Sequence, residues 1–121
     1  MDIKTIGVIG SGIMGHGIAQ VAATAGIPVK LNDISEDVLE KARINIDRSL
    51  DNGIKRGKIS QDDKAGILGR ISFESDFKKA VEHVDLVVEA VAENIELKSQ
   101  IFQKLDQFTR SDAILASNTS Q

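Results

Sequence analysis

Cysteine is absent from the 121 residues, and only 3% of them are aromatic. Without cysteine the chain can form no disulfide, thiolate nucleophile or cysteine-ligated zinc site. The scarcity of aromatic rings leaves few surfaces on which nucleic-acid bases could stack. The 18 acidic residues outnumber the 15 basic ones and give a net charge of −3. We therefore expect no nucleic-acid partner.

Long apolar runs are also lacking, since no stretch approaches the roughly 18 residues needed to cross a bilayer. The opening segment Met1–Lys4 does not look like a signal peptide. We therefore expect no membrane partner and a cytoplasmic location. The length suits one domain and excludes a second full domain.

Proline occurs once, whereas glycine occurs ten times and is concentrated near the N-terminus. The β-branched run Thr5–Ile9 predicts a buried parallel strand. The segment Gly15–Ala25 predicts a helix that buries Ile18, Val21, Ala22 and Ala25. A strand, a tight turn and a helix therefore open the chain.

The rest of the chain continues this alternation of strands and helices. Further strands are predicted at 28–31, 70–73, 85–91 and 113–116, and further helices at 36–52, 61–68, 76–83 and 94–108. This order predicts an α/β fold, a Rossmann-type doubly wound parallel sheet with a two-helix insertion after strand 2. Because such folds have about six strands and this chain supplies five, we expect a truncated domain.

A glycine motif joins the first strand to the first helix. The segment Gly10–Gly15 reads G-S-G-I-M-G, which is G-x-G-x-x-G in the context of a dinucleotide site. Its glycines permit a tight turn, close approach of a pyrophosphate, and close packing of helix on strand. The predicted cofactor-binding residues are Gly10, Ser11, Gly12, Ile13, Met14 and Gly15. The alternative is a glycine-rich turn that only packs.

Asp33 follows the second strand, where a carboxylate can accept both hydroxyls of an adenine ribose. A 2′-phosphate would be repelled there, so Asp33 favours NAD over NADP. The alternative is that Asp33 competes with Ser35 as the cap of the next helix.

Other polar residues give weaker signals. Spacing alone favours a solvated surface for Glu93 and Lys98, and a polar turn for 117–120. His16 and His83 are the two near-neutral titrating groups, but neither is a convincing acid or base, and no metal site is expected. Lys55, Arg56 and Lys58 form a small cationic cluster that is usually just solvated.

Three segments carry a resemblance to a known family. They are V-I-G-S-G-I-M-G-H-G-I-A-Q at 8–20, D-L-V-V-E-A-V-A-E-N-I-E-L-K-S-Q-I-F-Q-K-L-D at 85–106, and A-S-N-T-S at 116–120. Together they resemble the L-3-hydroxyacyl-CoA dehydrogenase family, particularly its bacterial 3-hydroxybutyryl-CoA members. The resemblance covers essentially the whole chain.

The resemblance implies roles for several residues. Glu93 and Lys98 would contact NAD, and Ser120 would hydrogen-bond the 3-hydroxyl or 3-keto oxygen of the substrate, with Asn118 nearby. The CoA part of an acyl-CoA substrate would meet Ser49, Arg56 and Lys58.

The resemblance also implies parts that these residues lack. In the family a His beyond S-N-T-S is the general base, and a C-terminal helical domain closes the cleft and forms the homodimer. We therefore expect the chain to be the N-terminal part of the NAD-binding domain and to bind cofactor without turnover. A parallel sheet cut partway would expose apolar surface and a strand edge, so we also expect the chain to self-associate. The whole enzyme would oxidise (3S)-hydroxyacyl-CoA with NAD.

Three alternatives stay open at this point. A gulonate dehydrogenase of the crystallin type shares S-N-T-S-like sequence. The 3-hydroxyisobutyrate and 6-phosphogluconate dehydrogenases open with a similar glycine motif. They carry an arginine that favours NADP after strand 2, where this chain has Asp33 and Ile34. A non-catalytic module that senses NAD is the third.

Overall fold

The computed structural model describes residues 2–91 and 95–117. Strands and helices alternate in the predicted order, with one pair of consecutive helices between the second and third strands. The strands are β1 (Ile6–Ile9), β2 (Val29–Asn32), β3 (Ile71–Glu74), β4 (Leu86–Glu89) and β5 (Ile114–Ser117), and the helices are α1 (Ile13–Thr24), α2 (Glu36–Lys55), α3 (Gln61–Gly69), α4 (Phe77–Val81) and α5 (Ile95–Phe108).

The five strands form one parallel sheet in the order β3-β2-β1-β4-β5. The chain builds outward from β1 to β3 and then crosses back, so β4 pairs with β1 on its other side. This reversal leaves a crevice outside the carboxyl ends of β1 and β4, the place where ligands bind in open α/β sheets. The predicted Rossmann-type fold is confirmed.

Each face of the sheet buries its own apolar core. Alternate residues of a strand point to opposite faces, so Val8 packs with α1, α2 and α3 whereas Ile9 packs with α4 and α5. The second core is completed by Val87 of β4 and by Ile101 and Leu105 of α5. The two cores fix the helices that begin at the carboxyl edge of the sheet.

Capping residues define where the insertion helices start. Ser35 caps α2 by accepting from the Val38 N–H, and Ser60 forms a capping box with Asp63 at the start of α3. Helix α2 continues to Lys55, three residues beyond its predicted end. Asn52 and Gly53 are poor helix formers, so the predicted end fell too early, whereas the helix actually closes at Arg56 and Gly57, the latter with φ +71°.

The prediction for α1 was wrong in two respects. The helix begins at Ile13 rather than Gly15, because its cap is Gly12. Of the residues expected to be buried, Ala22 is buried and Ile18 packs against the core, whereas Val21 is 71% exposed and Ala25 is exposed. The other buried residues of α1 are Gly15, Ala19 and Ala23. Close packing on the sheet selects the smallest side chains of α1, not the most apolar ones.

Within residues 2–91 and 95–117, no helix combines the length and apolar character needed to span a bilayer.

Candidate functional site

The glycine loop depends on two close approaches of backbone to backbone. Gly10 has φ +99°, and a Cβ there would lie 3.0 Å from the Ala90 carbonyl oxygen. A Cβ on Gly15 would lie 1.6 Å from the Gly10 carbonyl oxygen, so no side chain can be accommodated without moving the loop. Glycine is thus required at both positions.

The start of α1 is open to a ligand. Its cap residue, Gly12, supplies no side-chain hydrogen bond, and a Cβ at Gly12 would meet nothing within 4 Å. The first-turn N–H groups of a helix have no partner within the helix and carry partial positive charge. Ile13 and Met14 flank this opening and are 87% and 55% exposed. The arrangement can receive an anionic group such as a pyrophosphate.

Asp33 braces the glycine loop. Its Oδ2 accepts from the backbone N–H and the hydroxyl of Ser11, each at 3.0 Å, and its Oδ1 accepts from the Ser35 N–H at 3.1 Å. Ser35 is the cap of α2, so the alternative of Asp33 as the cap is wrong. The carboxylate is only partly buried and keeps an accessible side toward the crevice.

His16 also contacts the glycine loop through Ser11. Its Nδ1 lies 3.3 Å from the Ser11 carbonyl oxygen, which makes a hydrogen bond when Nδ1 carries the proton. His83 lies before β4, with its side chain 77% exposed and its Nε2 3.6 Å from Glu82. Neither histidine is among the residues that line the cleft beside the glycine loop.

A cleft of about 480 Å³ lies beside the glycine loop at the carboxyl edge of the sheet. Its walls are mainly apolar, with Asp33 as an acidic group and Lys104 as a cation on its lining. The other lining residues include Gly10, Gly12, Ile34, Val38, Val91 and Ile101. A flat heterocycle attached to a ribose over Asp33 would fit this combination.

A buried ion pair lies at the end of β4. Lys98 Nζ donates to Glu89 Oε1 at 3.1 Å, and the Glu89 side chain has no exposed surface. The Ser117 hydroxyl donates to the same oxygen at 2.7 Å, while Oε2 accepts from the Val91 N–H at 2.7 Å. The predicted cofactor residue Lys98 is therefore held by a carboxylate of β4 for which no role was predicted.

The residues predicted to meet CoA lie apart from the cleft. Ser49 is exposed and accepts a hydrogen bond from Gln20 Nε2 at 2.9 Å. At about 1.5 Å of rise per residue, Ser49 lies roughly 20 Å along α2 from its cap. Arg56 and Lys58 are exposed just beyond the end of that helix. The fold brings the three near one end of α2, but not to the glycine loop.

Three predicted site residues lie outside the described residues. They are Glu93, predicted to contact NAD, and Asn118 and Ser120, predicted to contact the substrate. Their roles stay predictions.

Two buried polar residues of the site were missed by sequence reasoning. Glu89 is one, and Asn32 is the other: its backbone carbonyl accepts from the Gly10 N–H at 2.9 Å and its Nδ2 donates to the Glu74 carbonyl at 2.8 Å. Both occupy the last position of a parallel strand. That position was the available signal, because ligands of open α/β sheets bind beside the carboxyl ends of the strands.

Taken together, the tight glycine turn, the uncapped helix start and the carboxylate after β2 define a dinucleotide-binding domain of the Rossmann type. The fit is physical: Gly15 brings helix and strand together, Gly12 leaves the anion path open, and Asp33 offers a carboxylate to a ribose.

Comparison with known proteins names the family. The profile of the 3-hydroxyacyl-CoA dehydrogenase NAD-binding domain matches residues 5–121, and the chain belongs to that family. It is 45% identical over 124 residues to the mitochondrial hydroxyacyl-coenzyme A dehydrogenase of Mus musculus, a match that covers 98% of this chain and 39% of that protein. The resemblance and the NAD cofactor inferred from sequence are confirmed.

Bacterial relatives of the chain belong to the same class of enzyme. A probable 3-hydroxybutyryl-CoA dehydrogenase of Bacillus subtilis (strain 168) is 39% identical over 120 residues, which covers 99% of this chain and 42% of that protein. The crystal structure of (S)-3-hydroxybutyryl-CoA dehydrogenase PaaH1 from Ralstonia eutropha matches with a TM-score of 0.95 at 39% identity, over 98% of this chain and 42% of that one. The chain thus spans about two fifths of the length of these relatives.

Proposed function

We propose that this chain is the cofactor-binding part of an enzyme that oxidises (3S)-hydroxyacyl-CoA, such as 3-hydroxybutyryl-CoA, with NAD. The observation that carries the proposal is the Asp33 carboxylate, bonded to Ser11 beside an uncapped helix start. The relatives' names support the substrate class.

The chain's own residues would bind and orient the cofactor. First-turn N–H groups at Ile13 and Met14 would meet the pyrophosphate, and Asp33 would accept from the ribose hydroxyls. Bound NAD supplies a hydride acceptor at its nicotinamide ring. The apolar cleft walls exclude water from the heterocycle's face.

Substrate contacts are proposed from the resemblance. Ser120 and Asn118 would hold the 3-oxygen, and Ser49, Arg56 and Lys58 would meet the CoA moiety. The side chains of Arg56 and Lys58 are exposed and form no ion pair with the described part of the chain, so they are available to a phosphate. A homodimer and a cytoplasmic location are proposed for the whole natural protein on the same basis.

Two measurements test the proposal. Titration calorimetry on the 121-residue chain should show NAD binding, and the whole natural protein that carries this sequence should oxidise NADH with acetoacetyl-CoA. The 121-residue chain should not, because His16 is committed to the Ser11 carbonyl and His83 is solvent-exposed before β4. Turnover by the chain alone would contradict this.

The alternatives predict different outcomes. A gulonate-type enzyme would oxidise gulonate with NAD and would not reduce acetoacetyl-CoA with NADH. A module that senses NAD would bind it without turnover even in the whole protein. The 3-hydroxyisobutyrate group loses support, because Ile34 stands where that group expects a cation and the matching family is a different one.

A further inference from the structure

A fully buried carboxylate lies at the carboxyl end of β4, on the α5 side of the sheet. Both oxygens of Glu89 are used: Oε1 accepts from Lys98 Nζ at 3.1 Å and from Ser117 Oγ at 2.7 Å, and Oε2 accepts from the Val91 N–H at 2.7 Å. The Glu89 side chain is 0% exposed and that of Lys98 is 14% exposed. A buried charge of this kind is tolerated only when it is paired and hydrogen-bonded.

The three partners of Glu89 belong to three segments at the ligand-binding edge. Val91 lies in the turn after β4 and lines the cleft. Lys98 lies early in α5, and Ser117 ends β5 immediately before the segment predicted to contact substrate. A single carboxylate therefore joins the cleft wall, the predicted cofactor cation and the approach to the predicted substrate residues.

Packing alone gives no reason for a charge at this position. The neighbouring core contains Ile9, Val87, Ile101 and Leu105, and an apolar side chain would suit it. Replacing a buried ion pair with apolar residues of similar size is often neutral or stabilising. The pair at Glu89 is therefore better explained by what it holds at the edge of the sheet.

We infer that Glu89 is a positioning residue of the NAD site. It holds the Lys98 ammonium at the carboxyl edge of the sheet and fixes the Val91 turn against the cleft. The inference rests on the proposed contact between Lys98 and the cofactor. Without the carboxylate, the long lysine side chain would move its charge into solvent. Glu89 thus acts through Lys98 and does not itself touch the cofactor.

The test is a double-variant cycle with Lys98→Met, Glu89→Gln and the combined variant. The dissociation constant for NAD is measured by calorimetry and the stability by urea unfolding, both on the 121-residue chain. Each single variant should weaken NAD binding roughly tenfold, the scale of one charge-assisted hydrogen bond. Lys98→Met should also lower stability, because it leaves the buried carboxylate unpaired.

The combined variant separates positioning from stability. It removes both charges, so it should recover stability above Lys98→Met while binding NAD no better than Lys98→Met. Recovery of NAD affinity together with stability would overturn the inference, as would an unchanged dissociation constant in Glu89→Gln. If Lys98→Met does not fold, Glu89→Gln and the combined variant still decide the matter.

A matched control is the pair between α2 and α3, away from the cleft. Lys64 is 18% exposed and lies 3.0 Å from Asp47 and 2.7 Å from Asp51. Lys64→Met should lower stability and leave NAD affinity unchanged, and a loss of affinity there would count against the inference. Failure of the unaltered chain to bind NAD would overturn the proposed function, and this inference with it.

Discussion

The Asp33 carboxylate accepts two hydrogen bonds from Ser11, one from its N–H and one from its hydroxyl, each at 3.0 Å. The residue predicted to select the cofactor therefore also fixes the second residue of the glycine loop. A ribose hydroxyl that binds Asp33 would join a network already in place, so less ordering is required on binding. Cofactor selection and loop geometry are consequently coupled in this domain.

We expect the chain to bind NAD much more tightly than NADP, because a 2′-phosphate would face the Asp33 carboxylate. Asp33→Ala should weaken NAD binding by roughly 1–3 kcal/mol, the cost of leaving polar groups unpaired. It should also reduce the preference for NAD over NADP. Calorimetric titration with each cofactor measures both effects.

Ser11→Ala is the control for the bracing role of Asp33. It removes the hydroxyl donor but keeps the backbone N–H and the carboxylate. Stability should fall by about 1 kcal/mol, while the preference for NAD over NADP should persist. Equal affinity of the unaltered chain for the two cofactors would contradict the assignment of Asp33.

Gly15→Ala should destabilise the fold and impair NAD binding, because its Cβ would lie 1.6 Å from the Gly10 carbonyl oxygen. Displacing the packed backbone should lower the free energy of unfolding by roughly 1–3 kcal/mol. Gly17→Ala is the matched control in the same helix, since a Cβ there meets nothing within 4 Å. It should stabilise α1 by about 0.5–1 kcal/mol. Urea unfolding of both variants checks the contrast, and equal losses would refute the close-packing argument.

Much of the fold could be predicted because its signals are local. Continuous apolar runs and the caps at Ser35 and Ser60 mark elements without knowledge of their neighbours. The glycine motif and Asp33 were also found, since their spacing follows from the shape of one strand, turn and helix.

The remaining features depend on contacts distant in sequence. The face of α1 that is buried follows from how closely α1 packs on the sheet, which hydropathy does not report. Glu89 and Asn32 acquire their partners from segments far along the chain, Lys98 and Ser117 in one case and Glu74 in the other. Such pairings appear only once the strands are assembled.

An ion pair at the amino end of β4, opposite the ligand-binding edge of the sheet, should make the stability of the fold depend on pH. Asp85 accepts from the Lys4 N–H at 2.7 Å and from Arg110 Nη2 at 2.6 Å. The backbone hydrogen bond from Lys4, followed by that from the Arg110 guanidinium, lowers the pKa of Asp85 below its ordinary value. A folded-state pKa below the unfolded one stabilises the fold at pH values above the unfolded pKa, about 3.9 for Asp. The contribution is lost as pH falls through the lower, folded-state value.

Asp85→Asn should therefore be less stable than the unaltered chain at neutral pH, and the difference should shrink at pH values below about 4. Urea unfolding at several pH values measures it. Asp112→Asn is the control, because Asp112 binds Arg110 at 3.0 Å from a side chain that is 64% exposed, where ion pairs contribute little. A pH-independent difference for Asp85→Asn would contradict the assigned pKa shift.

Strand β5 is the outer strand at one edge of the described sheet, and all four of its residues are exposed. Ile114 and Leu115 are 47% and 37% exposed. Strands of parallel sheets are normally covered on both faces, so this exposure of apolar side chains is unusual. Exposed strand edges with apolar side chains pair readily with other chains. The surface formed by β5 is thus the strongest candidate for contact between copies.

We expect the 121-residue chain to self-associate through β5 as its concentration rises. Covering about 400 Å² of apolar surface would contribute on the order of 10 kcal/mol before the entropy lost on association is subtracted. Leu115→Lys should weaken the association, because a charge on an edge strand opposes pairing, whereas Val21→Lys alters an apolar residue that is 71% exposed on α1 and should not. Sedimentation equilibrium over micromolar concentrations measures the mass. A 13.0 kDa monomer throughout, or equal weakening by both variants, would show that β5 is not the contact surface.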